Sequence, residues 1–92
     1  MIAKRALMRG RVQGVGFRFA MVDAARDAQV VGWVRNRRDG TVEAFVQGDA
    51  AGVERIVEWC RRGPPGARVA DFEATDTPVD STLRDFSQRP SA

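Results

Sequence analysis

The 92-residue sequence has no histidine and one cysteine, Cys60. Without imidazole, base catalysis by histidine and any metal site built on histidine are excluded. One cysteine excludes an internal disulfide and a thiolate zinc site, and it fits a reducing compartment. Lysine is almost missing as well: Lys4 is the only one, so the basic side of the balance (15 basic against 12 acidic residues, net +3) is nearly all arginine. An arginine excess of this size favours anionic ligands but does not by itself imply nucleic acid. No apolar run approaches the roughly 18 residues that span a bilayer. Met1-Ile2-Ala3-Lys4-Arg5 has no apolar stretch behind its charges, so no signal peptide is expected. Repeats, linkers and low-complexity segments are missing too. The expectation is one domain over residues 1–92, cytoplasmic, able to bury one modest core.

What is present is an orderly alternation of patterns. Ala6 to Val12 alternates as a strand, with Ala6, Met8, Gly10 and Val12 on one face. Phe17, Ala20, Met21, Ala24, Ala25 and Ala28 then recur at helical spacing. Val30 to Arg37 reads as a strand, Arg38-Asp39-Gly40 as a turn, and Thr41 to Gln47 as its hairpin partner. Asp49 is placed to cap a second helix, whose buried stripe is Val53, Ile56, Val57 and Cys60 and which Gly63-Pro64-Pro65-Gly66 stops. Val69 to Thr75 and Leu83 to Gln88 complete the strands, and Pro90-Ser91-Ala92 reads as a frayed end. This order predicts an α+β fold: a ferredoxin-like βαββαβ sandwich, with an antiparallel sheet, both helices on one face, and an additional C-terminal strand.

Between the first strand and the first helix runs Gly10-Arg11-Val12-Gln13-Gly14-Val15-Gly16-Phe17-Arg18. A glycine-rich turn entering a helix N-terminus aims several main-chain N–H groups at one point, and the helix dipole adds positive potential there. Arg18 would contribute a planar fork of donors suited to phosphate. No Gly-Lys-Ser/Thr follows, so the loop is not the common nucleotide cradle, and the glycine spacing is not the dinucleotide fingerprint. By shape alone it reads either as an anion cradle or as a tight turn whose glycines serve packing. In the predicted topology the first two strands point the same way, joined by a right-handed helical crossover, so their C-terminal ends share one end of the sheet. Asn36 therefore falls beside the loop.

Gly10 to Arg18, together with Gly32-Trp33-Val34-Arg35-Asn36 and Asp39-Gly40-Thr41-Val42, resembles the acylphosphatase family in order and spacing over nearly the whole chain. The resemblance implies the same ferredoxin-like architecture. It also implies hydrolysis of the carboxyl–phosphate anhydride of a small acyl phosphate, with inorganic phosphate as product and inhibitor. On the matching positions, Arg18 binds the phosphoryl group and Asn36 orients the attacking water. The main chain of Gln13, Gly14, Val15, Gly16, Phe17 and Arg18 forms the substrate-binding cradle. An activated anhydride suits a site without metal, cofactor or strong base. No cofactor, nucleic acid or membrane is expected as a partner, and the expected state is a monomer. Because nothing follows residue 92, the free-standing enzyme is expected rather than the larger maturation protein that carries such a domain in the family's relatives.

Other residues have plainer readings. Thr41 either helps to place Asn36 or water, or is simply a β-branched strand residue. Cys60 reads as core, and Trp33 and Trp59 as packing. Arg35, Arg37 and Arg38 read as a solvated hairpin tip, and Asp71, Glu73, Asp76 and Asp80 as a solvated face. The rival functions are an RNA-binding sheet, with Trp33 and Phe45 as stacking platforms, and a phosphate-binding domain without turnover.

Overall fold

The computed structural model describes residues 1–92. The elements are β1 (Ile2–Arg11), α1 (Phe17–Asp27), β2 (Val31–Asn36), β3 (Val42–Gly48), α2 (Ala50–Arg62), β4 (Arg68–Asp76) and β5 (Phe86–Gln88). They form one sheet in the order β4-β1-β3-β2-β5. The first four strands in this order are antiparallel, and β5 adds parallel to β2. Both helices pack on one face over a cluster that includes Met8, Met21, Val34, Ile56 and Phe86. This is the ferredoxin-like architecture expected from the sequence.

Most apolar positions read from periodicity form the core, but Ala20, Ala24 and Val57, placed on the same helical stripes, are only half-buried. In α1, Phe17, Met21 and Ala25 are buried, and in α2, Val53, Ile56 and Cys60. On β3, Val42, Ala44 and Val46 face the helices, yet Thr41, Glu43 and Gln47 are buried as well. Glu43 owes this to Arg5 and Arg35, whose guanidinium groups close on its carboxylate at 2.6 and 2.7 Å on the sheet's other face. Burial pushes the Glu43 carboxyl up, but hydrogen bonds from Arg35 and Arg5 outweigh this and leave it below its ordinary range.

Several boundaries differ from the sequence reading. β1 begins at Ile2, not Ala6, because Lys4 and Arg5 find carboxylates on neighbouring strands (Asp76 and Glu43). β5 is confined to Phe86–Gln88, as residues 80–85 are occupied in a turn held by Asp80. Asp49 stands at the N-cap of α2, but its side chain makes no capping bond. The segment Pro90-Ser91-Ala92 is not frayed: Ala92 N–H donates to Asn36 at 3.0 Å, and its carbonyl accepts from Arg38 N–H at 2.7 Å. Edge pairing overrides the default looseness of a polar tail, because β2 offers it unpaired main-chain groups.

The register brings the C-terminal ends of β1 and β2, and with them the glycine loop and Asn36, to one end of the sheet. Val42 on β3 faces Met8 of β1 on one side and Asn36 of β2 on the other. β1 runs on past Met8, with a bulge between Arg9 and Gly10. Gly10 has φ 122°, and a Cβ there would lie 2.3 Å from the Arg68 carbonyl oxygen, so only glycine permits this approach. The chain then enters the loop 12–16 and α1.

Candidate active site

The loop enters α1 through Gly16, in the left-handed conformation at φ 78°, where a β-carbon is strained. Gly14 has φ 74°. These turns leave the main-chain N–H groups of Gly14, Val15 and Gly16 without a main-chain acceptor. The first-turn N–H groups of Phe17, Arg18 and Phe19 have none either, as the first helical turn must. No side chain caps this helix end. Six consecutive donors therefore stand uncommitted at the positive end of a helix.

A cleft of about 190 Å³ opens there, lined by Val12, Gly14, Gly16, Phe17, Arg18 and Phe19 from the loop and helix, and by Asn36 and Gln88 from the strands. Gly14, Gly16, Phe17, Arg18 and Asn36, all named from the sequence, thus share one cavity wall. Val15 packs against the core instead. The side chain of Gln13 turns to the hairpin, donating from Nε2 to the carbonyls of Arg37 at 2.8 Å and Thr41 at 2.9 Å. Arg18 is half-buried and its guanidinium enters no ion pair, and the Asn36 side chain makes no hydrogen bond within the chain.

Neighbouring polar groups are committed elsewhere. The Thr41 hydroxyl donates to Asp39 Oδ1 at 2.6 Å, and this bond, with the Thr41 N–H, holds the Asp39 carboxyl below its ordinary range. Arg35 is not part of a solvated tip: it binds Glu43 and lies 4.9 Å over the Trp33 ring. Cys60 is buried, with Sγ 3.7 Å from Met21 Sδ, and burial pushes its thiol up. Asp80 is pinned by Gln47, with Gln47 Nε2 donating to its carbonyl at 3.0 Å and its N–H donating to Gln47 Oε1 at 2.7 Å. Asp71 and Asp76 meet Arg9 and Lys4.

Val12, Phe19 and Gln88 also line the cleft and were missed as site residues from sequence. The signal for Gln88 was indirect: a last strand beside β2 and parallel to it ends where Asn36 sits. Phe19 lies two residues, about 200° of helix, from the buried Phe17. Its 71% exposure leaves it at the rim.

A sequence profile described as Acylphosphatase matches residues 4–88. The chain belongs to the acylphosphatase family. It is 59% identical over 75 residues to the acylphosphatase of Acidiphilium cryptum, covering 82% of each chain. It is 53% identical over 83 residues to that of Anaeromyxobacter sp. (strain Fw109-5), covering 90% of this chain and 89% of the relative. The crystal structure of acylphosphatase from Bacillus subtilis superposes with a TM-score of 0.91 at 35% identity, covering 97% of this chain and 99% of that one. Two of the three blocks that carried the resemblance to acylphosphatases, Gly10–Arg18 and Gly32–Asn36, contribute residues to the two sides of one cleft, whereas Asp39–Val42 lines none of it.

Proposed function

We propose that the chain hydrolyses small acyl phosphates to a carboxylate and inorganic phosphate in the cleft between the glycine loop and Asn36. One observation carries the assignment of the site: the uncommitted donors at residues 14–19 stand with the unpaired Arg18 guanidinium at a helix N-terminus. Each charge-assisted hydrogen bond to a phosphoryl oxygen contributes about 1.5–3 kcal/mol. Donors fixed in advance around a group whose charge rearranges in the transition state lower the barrier, and phosphoryl transfer asks for little else.

The main-chain N–H groups and Arg18 hold the phosphoryl oxygens. Asn36 can donate and accept at once, so it orients a water towards phosphorus. The water oxygen forms a bond to phosphorus as the bond from phosphorus to the anhydride oxygen breaks. The electron pair of that bond leaves with the carboxylate. The water's proton passes to a phosphoryl oxygen, and the products are carboxylate and inorganic phosphate. The carboxylate is a good leaving group, so the step needs no strong base from the protein.

The RNA-binding reading loses one of its two platforms, Trp33. Trp33 stacks on Phe45 with centroids 6.2 Å apart, and Arg35 and Arg89 lie 4.9 and 5.0 Å over the Trp33 ring. A base would have to displace both guanidinium groups.

The test is hydrolysis of benzoyl phosphate by the purified protein, followed by ultraviolet absorbance with a chelator present. Turnover persists and phosphate inhibits competitively. Failure to turn over benzoyl phosphate, with oligonucleotide binding that weakens steeply with salt, would assign the fold to recognition instead.

A further inference from the structure

We propose that the Gln13 side chain is a positioning residue that sets where Asn36 stands relative to the phosphate cradle, an inference that rests on the hydrolytic reading above. Its main chain opens the loop, and its side chain leaves the loop altogether. Nε2 donates to the carbonyls of Arg37 at 2.8 Å and Thr41 at 2.9 Å. These are the only hydrogen bonds that join residues 12–16 to residues 36–42. The two acceptors bracket the hairpin tip, one directly after Asn36 and one directly before Val42.

The tip has its own internal bonds, which explains the choice of acceptors. Arg37 N–H donates to Thr41 at 2.8 Å and Gly40 N–H to Arg37 at 3.1 Å. Both carbonyls thus accept a second bond, from Gln13, with their remaining lone pairs. Asn36 is the last residue of β2. Behind it the ladder to Val42 and the Ala92 N–H fix the main chain. On the loop side, Gln13 is the one hydrogen-bonded link. Two main-chain carbonyls demand a side chain with two amide hydrogens on one nitrogen, and glutamine meets that demand; glutamate of the same shape offers only acceptors.

The consequence is a division of labour. The cradle's own donors do not depend on this side chain, so phosphate binding survives its loss. The water held by Asn36 drifts from its line of attack, so the chemical step slows. Misplacement on the scale of 1 Å costs up to about a hundredfold.

Three measurements on the purified full chain decide this. In Gln13→Met, kcat for benzoyl phosphate falls by about ten- to a hundredfold, while the inhibition constant of inorganic phosphate changes by less than about twofold. Gln13→Glu behaves alike or worse. In an Asn36→Ala background the same Gln13→Met change lowers kcat by less than about twofold, because the residue acts through Asn36. Unchanged kcat, phosphate binding that weakens in step with kcat, or losses that add in the double variant each overturn the proposal. Hydrogen exchange at the Arg37 and Gly40 amides reads the clamp without any turnover. It quickens in Gln13→Met, and unchanged exchange shows that no clamp exists. Inactivity of the unmodified protein towards benzoyl phosphate refutes the hydrolytic reading, and exchange still settles the clamp.

Discussion

At the end of the sheet where β4 finishes and β5 begins, residues 77–85 cross β1, β3 and β2 and bond to each in turn. Thr77 N–H reaches Ala3, Asp80 is held at both main-chain groups by Gln47, and Asp85 accepts from Gly32 N–H. At the other end β1 and β2 terminate, α1 starts, and a run of donors finds no acceptor in the chain. The strands are the same; what differs is whether the connecting segment uses up the polar groups it meets. Saturated, an end contributes stability. Left with donors and a guanidinium to spare, it is ready for an anion.

That contrast can be attacked from both sides. The largest effect is expected from Arg18→Ala, which removes the only unpaired guanidinium of the cleft. Turnover of benzoyl phosphate drops at least about a thousandfold, with thermal stability kept, as calorimetry of the same sample will show. Asn36→Ala comes next, with a loss of roughly a hundredfold in kcat and no change in competitive inhibition by phosphate. The smallest effect on chemistry belongs to the saturated end. Gln47→Leu leaves the Asp80 N–H without an acceptor and its carbonyl with the Leu83 N–H alone, and lowers stability by about 1–2 kcal/mol, or roughly 5–10 °C in Tm, while kcat stays at the original value. A fall in kcat there, at temperatures where the variant is folded, would erase the distinction between the two ends.

Much of this was legible in the sequence, and the reason is local. Alternation and helical spacing placed the elements because each has one apolar face, and a strand–glycine loop–helix pattern with Asn36 at a strand end placed both sides of the cleft. What escaped was decided by partners distant in the chain. Lys4 and Arg5 look like a break in a strand until Asp76 and Glu43 stand opposite them. Arg35 looks solvated until Trp33 and Glu43 enclose it. The tail to Ala92 looks loose until β2 offers it unpaired main-chain groups. Gln13 belongs with these. Its neighbours in sequence are glycines and valines, its bonding partners are carbonyls 24 and 28 residues away, and no pattern of residue types announces a main-chain acceptor.

The two outer strands carry a consequence for behaviour at high concentration. β5 is three residues long and runs straight into Arg89-Pro90, and proline has no N–H to offer an incoming chain. β4 is longer, but Arg68, Asp71, Glu73 and Asp76 are strung along it. An identical strand laid beside it in parallel register would set each carboxylate against its own copy. Neither border welcomes a further strand, so the molecule resists the edge-to-edge stacking by which sheets grow into fibres.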